Sequence, residues 1–210
     1  MSTQPDAMEV IRADRALTVV RAPVPISDPI ALAESLAGAG IRAVELTFTT
    51  PDALDAVRAA AKVADAVIGI GTVVTREQAE QAIDAGARFL VTPALRPEVA
   101  ELAVAQGVPV VMGAFTPSEV LAAIDMGAAA VKIFPARALG PTYLKDLRGP
   151  FPDVALIPSG GVNSGNAREF LRAGAIAVTA GTEVVAPSDV ADARWSAIAT
   201  QAHRFVHSLD

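Results

Sequence analysis

One local pattern repeats along this chain and leaves few folds open to it. An alanine-rich helical stretch closes on a glycine, a small or β-branched residue follows, and a short apolar run comes next. It occurs at Gly40-Ile41, Gly86-Ala87, Gly107-Val108, Gly127-Ala128 and Gly174-Ala175. A glycine in that place caps a helix in the left-handed region. An apolar run without alternation reads as a strand buried on both faces, as in a parallel sheet. Gly86, Gly107 and Gly127 are 21 and 20 residues apart, about the length of one strand–helix unit. Helix starts stand between the runs, at Thr75 with Glu77 and Gln78, at Thr116-Pro117-Ser118-Glu119, and at Asn163-Ser164.

Eight strands are predicted, near 17–21, 41–47, 66–70, 88–92, 109–112, 129–134, 154–158 and 176–179, with helices between them and a final helix over 188–207. Eight alternating strand–helix units point to an α/β fold, a (β/α)8 TIM barrel, with a doubly wound open sheet as the alternative. Residues 1–16 read as a short leader helix and 17–210 as the barrel. The 210 residues suffice for one domain with a full core. The chain is 52% hydrophobic but only 4% aromatic, so alanine and valine must fill that core. The apolar excess also hints at a buried subunit interface.

In such a barrel the chemistry sits at the C-terminal ends of the strands. The polar residues gather there: Arg21, Glu45 to Thr50, Thr72, Thr92-Pro93, Lys132, Ser159-Gly160-Gly161 and Gly181-Thr182. Of the three lysines, Lys62 and Lys145 read as solvated, whereas Lys132 lies within AAAVKIFP. An ammonium is expensive to bury there, and burial favours the neutral, nucleophilic amine. The bland reading is a lysine snorkelling to water or paired with a carboxylate. Glu45 is likewise an acid inside an apolar strand, fit to shuttle protons or to make a structural ion pair with Lys132 or Arg21. Glycines after the last two strands, with Ser159 and Thr182 beside them, resemble a phosphate cup of backbone N–H groups and following helix N-termini.

Other chemistry is excluded. A net charge of −6 with no basic cluster argues against nucleic acid or an anionic membrane as partner. Without cysteine there is no disulfide or thiolate chemistry. The only histidines, His203 and His207, fall on the last helix, and no metal-ligand spacing occurs at the strand ends. No stretch reads as a signal peptide or a membrane span, so the cytoplasm is the expected location.

Seven segments in order resemble the KDPG/KHG aldolases (2-keto-3-deoxy-6-phosphogluconate and 4-hydroxy-2-oxoglutarate aldolases): GIRAVELTFTTP at 40–51, IGIGTV at 68–73, FLVTP at 89–93, GAFTPSE at 113–119, VKIFPA at 131–136, GPFP at 149–152 and IPSGGVN at 157–163. The resemblance implies a class I aldolase on a (β/α)8 barrel, usually a homotrimer, needing no metal or other cofactor. It implies that Lys132 forms the Schiff base and that Glu45 is the general acid/base. Thr72 and Pro93 then flank the pyruvate portion, with Thr49 and Phe134 completing the substrate-binding set. Ser159, Gly160, Gly161, Gly181 and Thr182 hold the phosphate of a small keto acid phosphate. Many members carry Arg where Thr49 stands; those with Thr carry an Arg on the first strand, so carboxylate contact passes to Arg21. Ser159 replaces a common Thr and Thr182 a common Ser, and both keep a hydroxyl. Met112 stands where Pro is frequent.

Rival readings are an aldolase for unphosphorylated 4-hydroxy-2-oxoglutarate or for the galactonate epimer, a phosphate-binding barrel decarboxylase or isomerase, and a non-enzymatic scaffold. The decarboxylase class needs an Asp-x-Lys-x-x-Asp run. Lys132 has Ala130 two residues before it and Pro135 three after.

Overall fold

All five glycines of the repeat adopt the left-handed backbone that ends a helix: φ is 95° at Gly40, 98° at Gly86, 66° at Gly107, 79° at Gly127 and 101° at Gly174. A computed structural model describes residues 6–210. Its strands are β1 (Ala16–Val20), β2 (Ala43–Thr47), β3 (Val67–Gly71), β4 (Leu90–Val91), β5 (Val110–Ala114), β6 (Ala130–Ile133), β7 (Leu156–Pro158) and β8 (Val178–Ala180). Between and around them run α1 (Ala7–Asp14), α2 (Pro29–Gly38), α3 (Ala53–Ala60), α4 (Arg76–Asp84), α5 (Pro97–Ala105), α6 (Pro117–Asp125), α7 (Gly140–Arg148), α8 (Ala167–Arg172), α9 (Pro187–Ala191) and α10 (Trp195–His207).

From β1 to β7 each strand pairs in parallel with the next in sequence, and β8 pairs in parallel with β1. The seam between β7 and β8 is drawn together by Ile176 N–H donating to the Leu156 carbonyl at 3.0 Å and the Thr179 hydroxyl donating to the Pro158 carbonyl at 3.1 Å. The result is a (β/α)8 barrel rather than an open sheet.

Alternation along the strands separates two cores. Val20, Val44, Leu46, Ile68, Ile70, Leu90, Val110, Met112, Val131, Ile133, Leu156 and Val178 face the helices. Leu17, Ala43, Val67, Phe89, Val91, Val111, Ala130, Ala155, Ile157 and Ala177 fill the barrel interior. Helix α1 plugs the N-terminal end of that interior with Ala7, Val10 and Ile11. Complete burial of Ile11 stabilises by roughly 1.5–3 kcal/mol. Asp6 starts this helix by accepting from the N–H groups of Met8 and Glu9 at 2.8 and 3.0 Å. Residues 1–5 of the expected leader lie outside the described residues.

Two helix boundaries differ from expectation. The single helix expected over 188–207 is two, α9 and α10. Ala193 turns left-handed at φ 53°, and Arg194 bridges back to Asp189 and Asp192 at 2.7 and 2.8 Å, fixing the break. The helix start expected at Asn163-Ser164 is a turn. Asn166 Oδ1 accepts from Asn163 N–H at 2.8 Å, Asn163 Oδ1 accepts from Gly165 N–H at 2.9 Å, and α8 begins only at Ala167. The caps at Thr75 and Thr116 form as read, the latter as a reciprocal capping box with Glu119.

Candidate active site

Period two carries the inward face of β2 from Ala43 to Glu45 and that of β6 from Ala130 to Lys132. An acid and an amine therefore stand one layer above the apolar plug, toward the C-terminal mouth.

The Glu45 carboxylate is 1% exposed, and neither oxygen accepts a hydrogen bond. Burial pushes its pKa up from the ordinary 4.5, while the charges of Lys132 and Arg21 pull partly in the opposite direction. No ion pair forms at Glu45 among the described residues. The structural ion pair entertained from the sequence is thus replaced by an unpartnered acid, because neither cation comes within pairing distance. Room for it comes from β3: Glu45 is opposite Gly69 in the ladder, and its side chain lies across Gly71.

Lys132 is 8% exposed, opposite Gly113 on β5 and Ile157 on β7. Its Nζ is 5.6 Å from the centroid of Phe134, whose ring is 42% exposed at the mouth. Lys62 and Lys145 are exposed on the outside.

Arg21 emerges just beyond β1 and donates to Thr49 Oγ1 and, at 3.3 Å, to Thr72 Oγ1. Behind Thr49 a hydroxyl relay links Thr47 at 3.1 Å, Thr50 at 3.3 Å and the backbone N–H of Ala22 at 3.1 Å. Thr72 holds φ at 60°, a strained position for a β-branched residue, and strain of this kind concentrates at functional sites. Pro93 lies just beyond β4 and is braced by buried Thr92, which accepts from Gly113 N–H at 3.1 Å and donates to the Ala94 carbonyl at 2.7 Å.

After β7, buried Ser159 leads into two consecutive left-handed glycines, Gly160 at φ 84° and Gly161 at φ 88°. Among the described residues their N–H groups donate to no protein acceptor. Successive free amides of this kind form an anion-binding concavity. Gly181 and exposed Thr182 open the loop after β8; the Gly181 carbonyl accepts from Val184 and Val185. This loop is tied to the β7 loop through Glu183, which accepts from the Ser164 N–H at 2.7 Å and hydroxyl at 2.6 Å. The expected helix N-terminus is not part of the cup here, since α8 starts six residues after Gly161.

Three roles escaped the sequence reading: Gly71 as the seat of Glu45, Thr92, named only for its place at a strand end, as the brace of Pro93, and Arg137 beside Gly161. For Gly71 a signal existed, the Gly-x-Gly spacing on one strand face. His203 and His207 are exposed on α10, and the described residues hold no group of three metal-ligating side chains.

A parallel barrel carrying a sequestered amine, an unpartnered carboxylate and a cup of free amides at its C-terminal mouth has the make-up of a lysine-dependent lyase for an anionic carbonyl substrate. Residues 8–201 match the aldolase family described as KDPG and KHG aldolase. The 2-dehydro-3-deoxy-phosphogluconate aldolase of Treponema pallidum (strain Nichols) is 34% identical over 92% of this chain and 91% of its own. A probable 2-dehydro-3-deoxy-6-phosphogalactonate aldolase of Rhizobium meliloti (strain 1021) is 36% identical over 81% of this chain and 84% of its own. The solved KDPG aldolase of Legionella pneumophila, with pyruvate captured at low pH as a covalent carbinolamine intermediate, superposes with a TM-score of 0.87 at 31% identity, covering 95% of this chain and 97% of that one. The chain belongs to the KDPG and KHG aldolase family.

Proposed function

We propose that the chain cleaves 2-dehydro-3-deoxy-6-phosphogluconate to pyruvate and glyceraldehyde 3-phosphate through a Schiff base on Lys132. The carrying observation is a buried primary amine sharing the barrel interior with a buried carboxylate that has no hydrogen-bond partner. The Lys132 amine adds to the C2 ketone, and protons passed by Glu45 turn the C2 oxygen into departing water, leaving an iminium. Glu45, directly or through a water, then takes the C4 hydroxyl proton. The C3–C4 bond breaks, its electron pair passes into an enamine, and C4 departs as the aldehyde carbon. The enamine takes the proton back at C3, and hydrolysis frees pyruvate and the amine. A carboxyl pushed upward by burial holds its proton nearer neutral pH, so it can both give and take one.

In this reading Arg21, with Thr49 and Thr72, receives the substrate carboxylate. Pro93 and Phe134 flank the pyruvate carbons. Ser159, Gly160, Gly161, Gly181 and Thr182 receive the phosphate, without metal or other cofactor. The carbinolamine of the Legionella relative supports the covalent step. Borohydride reduction in the presence of pyruvate, followed by peptide mass mapping, tests it. The expected adduct is on Lys132, and labelling of Lys62 or Lys145, or none, rejects it.

The Rhizobium relative favours a second substrate, the galactonate-derived C4 epimer. Cleavage rates for both epimers and for 4-hydroxy-2-oxoglutarate decide among them. We infer assembly as a homotrimer, supported by exposed Val104, Leu121 and Ile124 on adjacent α5 and α6; sedimentation checks it. Among the described residues no helix is long and apolar enough to cross a membrane. A phosphorylated substrate fits work in the cytoplasm.

A further inference from the structure

The loop after β6 brings one more cation to the barrel mouth. Arg137 lies in a 3-10 turn, Ala136–Ala138, and its backbone N–H donates to the Gly160 carbonyl at 2.9 Å. Its side chain then runs over the next residue. A Cβ at residue 161 would overlap Arg137 Cβ and lie 3.2 Å from both Cγ and Cδ. The aliphatic stem therefore lies along Gly161 as far as Cδ, beside the turn whose amides are free. On the other side, a Cβ at residue 160 would lie 3.1 Å from the Phe134 ring, which neighbours Lys132. The turn thus stands between the reacting amine and the arginine.

Among the described residues Arg137 makes no ion pair and no side-chain hydrogen bond. Glu183, an acid on the adjoining β8 loop, is engaged by Ser164 instead. An exposed arginine laid along a turn with free amides, with no carboxylate paired to it, is available to an anion from outside the chain.

We propose that Arg137 is a specificity-determining residue that grips the distal phosphoryl group of the substrate from the outer side of the Gly160-Gly161 turn. This rests on the aldolase reading above. It assigns to one side chain the discrimination between phosphorylated and unphosphorylated keto acids. The backbone amides supply neutral donors to any oxyanion, whereas the guanidinium adds a full charge matched to a phosphate. Arg137 acts on binding alone, since the group it holds lies at the far end of the substrate from the C3–C4 bond.

The test compares wild type, R137A and R137K on 2-dehydro-3-deoxy-6-phosphogluconate and on 4-hydroxy-2-oxoglutarate, with pyruvate–borohydride labelling of Lys132 in parallel. R137A is expected to raise KM for the phosphorylated substrate about ten- to a hundredfold with kcat little changed, and R137K to recover part of the loss. KM for 4-hydroxy-2-oxoglutarate and labelling by pyruvate should stay at wild-type levels. The proposal is overturned if R137A leaves KM for the phosphorylated substrate unchanged. It is equally overturned if both substrates suffer alike, or if wild type does not discriminate between them. An unlabelled Lys132 in wild type would instead sink the aldolase reading itself, which keeps the two failures apart.

Discussion

The carboxylate of Glu45 occupies the space that a side chain at residue 71 would need: a Cβ on Gly71 would overlap Oε1 and Cδ of Glu45 and lie 2.7 Å from Cγ. The two positions lie on neighbouring strands, two residues out of direct register, since Glu45 is opposite Gly69 and Thr47 is opposite Gly71. Gly71→Ala therefore has a defined consequence. The methyl group displaces the acid from its seat while leaving every polar atom present. A misplacement of about 1 Å costs a well-oriented reaction on the order of a hundredfold. We expect kcat for keto-acid cleavage to fall by about that factor, with circular dichroism unchanged and Lys132 still labelled by pyruvate and borohydride. Near-normal turnover would mean that Glu45 does not work from this seat.

Glu45→Gln separates the cost of the acid from its use. Burial raises the folded-state pKa above the ordinary 4.5, while in the unfolded chain the group titrates near that value. The folded protein therefore binds this proton more tightly. The stability it contributes is complete below about pH 4.5 and is lost as pH rises through the folded pKa. Glutamine does not ionise, so the melting temperature of the variant relative to wild type should climb as pH rises above about 4.5. Turnover should fall about 10²–10⁴-fold as the proton shuttle is removed. A melting difference flat with pH would show that the acid does not titrate in a buried site.

Much of the fold and part of this site were legible before any coordinates. The helix-ending glycines, Gly40 to Gly174, could be read because a left-handed cap is a local requirement. Lys132 and Glu45 could be read because a charge within an aliphatic strand is conspicuous at its own position. The Gly-x-Gly spacing marks Gly71 without saying what it seats, and nothing local marks Arg137, since their meaning lies in contacts across strands: Glu45 reaches Gly71 only through the β2–β3 register, and Arg137 reaches Gly161 only because β6 and β7 are neighbours. The break between α9 and α10 was hidden for a related reason. Arg194 is a good helix former whose side chain is drawn back to Asp189 and Asp192.

Lys132→Met tests whether the amine is kept for chemistry rather than for the fold. The side chain is nearly buried and makes no ion pair among the described residues, so apart from the Phe134 ring it lacks the close partner that a buried cation needs. Methionine fills a similar volume without the charge. We expect the melting temperature to rise by roughly 2–4 °C, the equivalent of about 1 kcal/mol at this size. Cleavage activity and pyruvate labelling should disappear together. A variant that is less stable than wild type would assign Lys132 a structural role, and one that retains turnover would remove it from the reaction.

Arg21→Ala should act at the opposite end of the substrate from Arg137. Its guanidinium is steered by Thr49 and Thr72, two hydroxyls on different loops, so it is aimed before any ligand arrives. In the proposed reaction the carboxylate common to every 2-keto acid meets it there. Losing a charge-assisted contact of that kind raises KM by about ten- to a hundredfold, and here the rise should be equal for phosphorylated and unphosphorylated substrates. The pyruvate concentration needed for half-maximal labelling of Lys132 should rise in step. Thr49→Ala should show the same pattern in milder form, because Thr72 still holds one arm of the guanidinium at 3.3 Å. If Arg21→Ala spares pyruvate labelling and weakens only the phosphorylated substrate, the carboxylate is held elsewhere, and Arg21 belongs to the distal end of the site.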